Sequence, residues 1–414
     1  MSATHSAELA PSTSDHRAIR ALVLEASLSK LGFGLVGFAL PLYARSQGLS
    51  ISSIGVLMTT NVAVAAVCKP LVGGLIDRVG LRRSAIIAST ARVAVFVLFL
   101  VATGPTLLWT AQILRGLAKS VRDPALNALV AAHGGKKTMA TTFAWYGTAK
   151  SVASSAGKAL AGVVLGTVAG YTAVFALGLV LVAGPTLVIA RWVRDAPVPP
   201  TDTNEAPPAT TSSRSIAGAL LPWLVFGGAV SATARMLHGL LPLLATEYAG
   251  LSEAAAGSLY LIPTIIAAVT GPAFGWLSDR VDHRLILGTR SVANVTSSLV
   301  MLAVPSATGF ASGKAIDALG NAAFTPAWGA QMAAASEEHP RNRAQVMAVM
   351  TSARDAGTIA GPILGGLVWS LFGAIALLVL RALLSAGTEV IAILATKSNP
   401  PTSPSSCAPL ANGP

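Results

Sequence analysis

Long runs without a single charge decide what this chain can become. The stretches 46–68, 93–114, 215–234, 254–278, 291–313 and 356–380 contain no Asp, Glu, Lys or Arg. A helix needs about 20 apolar residues to cross a hydrocarbon core roughly 30 Å thick. Charged residues make up 11% of the chain and hydrophobic ones 53%, whereas soluble domains carry about 25% charged residues. A soluble fold of 414 residues would lack the polar surface to cover itself. The pattern predicts an all-α polytopic membrane protein. Cys68 and Cys407 form neither a CxxC pair nor a disulfide framework. The polar opening MSATHSAELAPSTSDHR reads as a cytoplasmic tail before the first helix, not as a cleaved signal.

The run 159–190 is too long for one span, and Ala169-Gly170-Tyr171 offers a turn inside it. Turns at Gly, Pro and charge clusters then give twelve spans: 18–44, 51–76, 84–103, 107–130, 139–168, 172–191, 215–246, 252–278, 285–304, 308–335, 343–369 and 373–396. Loops on one side carry Arg78, Arg82 and Arg83, Lys136 and Lys137, Arg191, Arg194 and Arg214, Arg280 and Arg284, and Arg341 and Arg343. The opposite loops hold one cation, Arg45. Basic loops stay in the cytoplasm, so both termini are expected there, with the chain in the plasma (inner) membrane. Small basic groups between apolar stretches account for the net charge of +12 without nucleic acid. The Pro- and Thr-rich stretch 192–214 reads as a linker. It separates a six-helix bundle at 18–191 from a second at 215–396, with tails at 1–17 and 397–414.

The two halves repeat each other. Pro41 matches Pro242, Gly48-Leu49-Ser50 matches Gly250-Leu251-Ser252, and Pro70 matches Pro272. Gly73, Asp77 and Arg78 match Gly275, Asp279 and Arg280, while Pro124-Ala125 matches Pro326-Ala327 and Gly157 matches Gly361. A duplicated unit of this kind places a binding site at the interface of its halves, near the bilayer midplane.

The stretch GGLIDRVGLRR at 73–83 fills every position of G-x-x-x-D-R-x-G-x-R-R, and so resembles the signature loop of the major facilitator superfamily. Its second copy, GWLSDRVDHR at 275–284, departs from it at Asp282 and His283. GPILGG at 361–366 resembles the helix-packing motif of the same family, and Lys158 fills the proline place of the matching motif in span 5. The resemblance covers about 18–396 and implies twelve transmembrane helices in two pseudo-symmetric six-helix bundles. It also implies a cytoplasmic gate built from Gly73, Asp77, Arg78, Gly80, Arg82, Arg83 and Asp123, with Gly275, Asp279, Arg280 and Arg284 from the second copy. Asp77 can accept from the N-terminus of a neighbouring helix, which the resemblance suggests is span 11, and Arg78 or Arg82 can pair with Asp123. Spans 3, 6, 9 and 12 are peripheral in that fold.

Charges within spans are costly and mark function. Lys30, in the middle of span 1, and Arg235, in the middle of its repeat partner span 7, are expected to face each other across the interface. With Lys119 and Lys158 they form the expected substrate cavity. Glu25, Asp317 and Asp355, with Arg115 and Arg354, are candidates for proton coupling or charge relay, and His238 is a weaker one. The competing reading is internal pairing of Lys30 with Glu25, Lys314 with Asp317, and Lys119 with Asp123. No interior charge is expected in spans 6 and 9, while span 3 carries Arg92 and span 12 carries Arg381 and Glu389.

HGGKKT at 133–138 lacks the spacing of a phosphate loop. No cofactor, metal or enzymatic constellation is expected. The function expected is secondary active transport of a small organic solute, anionic and proton-coupled, by a monomer in the lipid bilayer. Drug or natural-product efflux by proton antiport is one alternative. A non-transporting sensor or lipid-handling protein is the other.

Overall fold

The computed structural model describes residues 13–133, 139–167, 170–192, 218, 220–267, 269–270, 283–337 and 343–398, and no strand occurs among them. The first half runs α1 (Thr13–Ser46), α2 (Ile51–Val79), α3 (Leu81–Val101), α4 (Pro105–His133), α5 (Met139–Leu165) and α6 (Gly170–Trp192). The second half begins with α7 (Leu221–Arg235), which resumes beyond a turn as Leu241–Leu243 and the π-helical Leu244–Tyr248. Then come α8 (Glu253–Ser258), α9 (His283–Ala303), α10 (Ala307–Glu337) and the stretch Arg343–Ser398. Gly373, at φ +88°, divides that last stretch into α11 (343–372) and α12 (374–398). The linker expected at 192–214 and the outer parts of both tails lie outside the described residues, apart from Trp192 at the end of α6.

The repeated tripeptide is a repeated turn. Gly48 and Gly250 take φ +82° and +65°, a region open to glycine without a Cβ penalty. Ser50 then caps α2 by accepting from the Ser53 N–H at 3.2 Å, and Ser252 caps α8 by accepting from the Ala255 N–H at 3.3 Å. Other repeated residues diverge. Pro41 lies inside the continuous α1, whereas the expected span 215–246 breaks at 236–240. Pro242 has no N–H to donate, and its ring crowds the carbonyl of residue 238. The backbone tightens there instead, with the His238 N–H bonding the Arg235 carbonyl at 2.9 Å.

Six described stretches are long and apolar enough to cross a membrane, and one of them, Gln345–Glu389, is long enough for two spans. Long helices outside that set are α4, which carries Arg115, Lys119, Arg122 and Asp123, α5, which carries Lys150 and Lys158, and α10, which carries Lys314 and Asp317. Their charges point to an interior that is not hydrocarbon.

Glycines bring the helices together, and each contact occurs twice. Within the halves, a Cβ on Gly157 of α5 would meet the Leu31 carbonyl of α1, and one on Gly361 of α11 would meet the Ala232 carbonyl of α7. Between the halves, Gly162 of α5 lies against the Glu253 carbonyl and Gly257 of α8, while Gly55 of α2 lies against the Pro362 carbonyl and Gly366 of α11. Small residues permit such backbone approach in membranes. The doubling is the pseudo-twofold of two six-helix bundles.

These inter-half contacts sit towards the end opposite Arg82 and Arg83. The core there is shared, joining Phe38 and Ile54 to Leu240, Tyr260 and Leu377. Arg45 pairs with Glu247 at 3.0 Å on the same rim. Towards the arginine-rich end the core splits. Leu22, Leu126 and Ile189 belong to a cluster of the first half alone, and Phe226, Trp328 and Val346 to a cluster of the second half alone. Among the described residues, the apolar core is therefore shared between the halves at one end and separate at the other. Gly162→Leu drives a side chain into the α8 backbone, so thermal unfolding of the purified variant should show a loss of about 1–3 kcal/mol. Gly184→Leu, whose Cβ meets open space, should unfold like the parent.

Candidate functional site

A cavity of about 540 Å³ lies between the halves. Lys30 of α1, Lys119 of α4, Lys158 of α5 and Arg235 at the end of α7 all line it, as do Arg115, Arg354 and His238. Asp355 is the one carboxylate among the described lining residues. The four cations expected at a substrate cavity are thus brought to one space. Several rest on aromatic faces, a placement that favours a cation. The Lys158 ammonium lies 4.4 Å from the ring centre of Tyr260 on the other half, and the Arg115 guanidinium lies 4.6 Å from that of Phe33. Arg354 lies 5.6 Å from the ring of Phe324. Arg235 Nη1 stands 3.4 Å from His238 Nδ1, both placed by the break that Pro242 imposes.

A side pocket of about 210 Å³ adjoins this cavity within the second half, and Lys158, Arg235 and His238 line both spaces. Asp317 stands at the side pocket's wall. Its Oδ1 lies 3.1 Å from Arg290 and 3.0 Å from Arg381, and its Oδ2 lies 3.3 Å from Lys314. Arg381 also donates to the Thr233 carbonyl at 3.0 Å, to Asn294 Oδ1 at 2.9 Å and to the hydroxyls of Ser297 and Ser298 at 2.9 and 2.8 Å. One expectation is corrected here. Span 9 does carry an interior charge, the buried Arg290 of α9. The charges expected on spans 3 and 12 turn inward, Arg92 lying 3.9 Å from the ring centre of Phe33 and Arg381 reaching Asp317. Each guanidinium escapes lipid by reaching a partner on the neighbouring helix.

Glu25 does not pair with Lys30. It accepts from Arg122 of α4 in a fully buried contact between α1 and α4, and Asp123 lies 3.6 Å from the same guanidinium. The i,i+4 pairing of Lys119 with Asp123 is therefore replaced by one to Arg122, while the pairing of Lys314 with Asp317 is observed. Lys30 and Lys119 are left facing the cavity, and of the residues considered for coupling Asp355, His238 and the two arginines Arg115 and Arg354 join them there.

The gate is described in part. Gly80, at φ +91°, makes the turn from α2 to α3. Arg82 donates to the Ala190 carbonyl of α6 at 2.5 Å, and Arg78 and Arg83 are exposed. Gly73 and Asp77 lie in α2 and Arg284 in the first turn of α9, but their side chains are outside the description. Gly275, Asp279 and Arg280 lie outside the described residues.

The two charge clusters have different fates on substitution from the open cavity. Asp317→Asn strands Arg290 and Arg381, each almost fully buried, so the melting transition should fall by the equivalent of about 3 kcal/mol or more. Adding Lys314→Gln to that variant should recover part of the loss. Lys119→Gln, which removes a cavity cation held by no ion pair among the described residues, should leave the melting transition nearly unchanged.

The sequence matches the Major Facilitator Superfamily over residues 23–312 and again over 224–408. No curated protein sequence matches it significantly. Among solved structures, the nucleoside transporter NupG superposes with a TM-score of 0.75 at 13% identity, covering 91% of this chain and 98% of its own. A bacterial homologue of the human lysosomal transporter Spinster, in an inward-facing and occupied conformation, gives 0.75 at 15% identity over 92% and 96%. The human organic anion transporter MFSD10 gives 0.63 at 16% identity over 91% and 99%. At these identities the likeness is one of fold, and it agrees with the doubled glycine contacts and the cavity between bundles. The chain belongs to the major facilitator superfamily.

Proposed function

We propose that this protein is a secondary active transporter that moves a small organic anion by alternating access, coupled to protons. One observation carries the substrate charge: among the described lining residues the cavity presents Lys30, Arg115, Lys119, Lys158, Arg235 and Arg354 against one carboxylate, Asp355. An anion in that space offsets cations that would otherwise stand unpaired within the membrane. A cationic substrate would meet repulsion on every wall. The organic anions named for the MFSD10 transporter fit the same chemistry.

The sidedness follows from the basic loops. The arginine-rich end, with both termini and the linker between bundles 18–191 and 215–396, faces the cytoplasm of a cell with this chain in its plasma membrane. The parted end of the structure is then the cytoplasmic one, and the glycine contacts of Gly55 and Gly162 close the outside. For coupling, Asp355 is the carboxylate placed to exchange a proton with the cavity, since Glu25 and Asp317 are engaged by buried arginines.

Uptake into proteoliposomes with an imposed pH gradient, across a panel of organic anions and cations, tests the proposal. Accumulation of anions supports it, and stimulation by cations alone refutes it. Asp355→Asn should keep substrate exchange between the two sides while losing accumulation driven by the pH gradient.

A further inference from the structure

We propose that the substrate carries two acidic groups, one held in the main cavity and one at the mouth of the side pocket. This rests on the organic-anion reading and narrows it. The cations of the site fall into two sets. Lys30 and Lys119, on α1 and α4, line the main cavity alone. Lys158 and Arg235 line both spaces, so they stand at the neck where the side pocket opens. The deeper cations Arg290, Lys314 and Arg381 are already engaged by Asp317. The neck cations are not neutralised by that carboxylate in any ion pair among the described residues.

A second observation concerns the side pocket beside the neck. The Tyr260 hydroxyl is buried without a hydrogen-bond partner, in a residue only 5% exposed whose side chain lines the side pocket. Its ring lies beneath the Lys158 ammonium at 4.4 Å and packs edge-on against Phe38 at 6.0 Å. Buried hydroxyls are ordinarily paired, and this one, with almost no accessible surface as it stands, gains a partner if its side chain shifts towards an acidic group bound in the side pocket that Tyr260 lines. Lys158 and Arg235 offer donors to one carboxylate or phosphate-like group, and the shifted Tyr260 hydroxyl adds a third. A pocket of about 210 Å³ has room for such a head group. A ligand with one acidic group can satisfy the neck or the Lys30–Lys119 wall, and leaves the other set unpaired. A ligand with two satisfies both.

The test uses the full-length protein purified in detergent, with ligand affinity read from thermal stabilisation. The probes are straight-chain dicarboxylates and alkane bisphosphates of increasing length, each set against its singly acidic counterpart of equal length. At the matching length the doubly acidic probe should bind about tenfold or more tightly than its counterpart, the scale of one charge-assisted hydrogen bond. Tyr260→Phe keeps the ring under Lys158 and removes only the hydroxyl, and Lys30→Gln removes one cation of the opposite wall. Each should weaken the doubly acidic probe about tenfold, whereas a singly acidic probe should respond to only one of the two. Equal affinity for singly and doubly acidic probes at every length overturns the two-group proposal and leaves the organic-anion reading standing. So does a doubly acidic probe indifferent to either substitution. Binding of organic cations with no response to any anion overturns both.

Discussion

An ionised side chain in the bilayer interior needs either a partner or water, and this chain uses both solutions in separate places. Glu25 with Arg122, and Asp317 with Arg290, Lys314 and Arg381, are closed clusters inside single bundles. Lys30, Lys119, Lys158 and Arg235 face the space between bundles. The closed clusters fasten helices to one another within a bundle and leave each bundle able to move as a body. The open set defines what enters between them.

The movement has its own structural basis. Inter-bundle contact at the joined end combines glycines against carbonyls with a shared apolar core that includes the edge-on pair Phe38 and Tyr260. The small residues let the backbones approach closely, and separating the bundles there would unpack that core. The Lys158–Tyr260 contact spans the same interface, between the seal and the cavity. An acidic ligand that draws Lys158 away from that ring therefore acts directly on a contact between the bundles, which is how differential binding shifts a conformational equilibrium.

Much of this was legible from the residues alone, and the reasons are local. Gly-Leu-Ser could be read twice because positive-φ glycine and serine capping depend on a few consecutive residues. Lys30, Lys119, Lys158 and Arg235 stood out because each interrupts an apolar helix. What escaped depends on helix rotation. Glu25 and Arg122 lie on different helices, and nothing in spacing says that α1 presents Glu25 to α4 and Lys30 to the cavity. Arg290 sits at the edge of a charge-free run, and nothing in that position says that α9 buries it. The break after Arg235 turned on Pro242, whose repeat partner Pro41 is held within a continuous helix, so the proline alone did not discriminate.

The joined end of the two bundles has an electrical consequence under the proposed sidedness. An aqueous cavity open on one side takes the potential of that side, and the transmembrane field falls across the closed portion. If the cavity opens at the arginine-rich end to the cytoplasm, its cations sit at the cytoplasmic potential. Reversing access transfers them to the opposite potential, at about 2.3 kcal/mol per charge for each 100 mV. For the anion carrier proposed above, an interior-negative voltage would thus hold the empty protein facing inward, and loading with anions would remove part of that hold. Voltage then governs the return of the unloaded protein more strongly than the passage of its cargo.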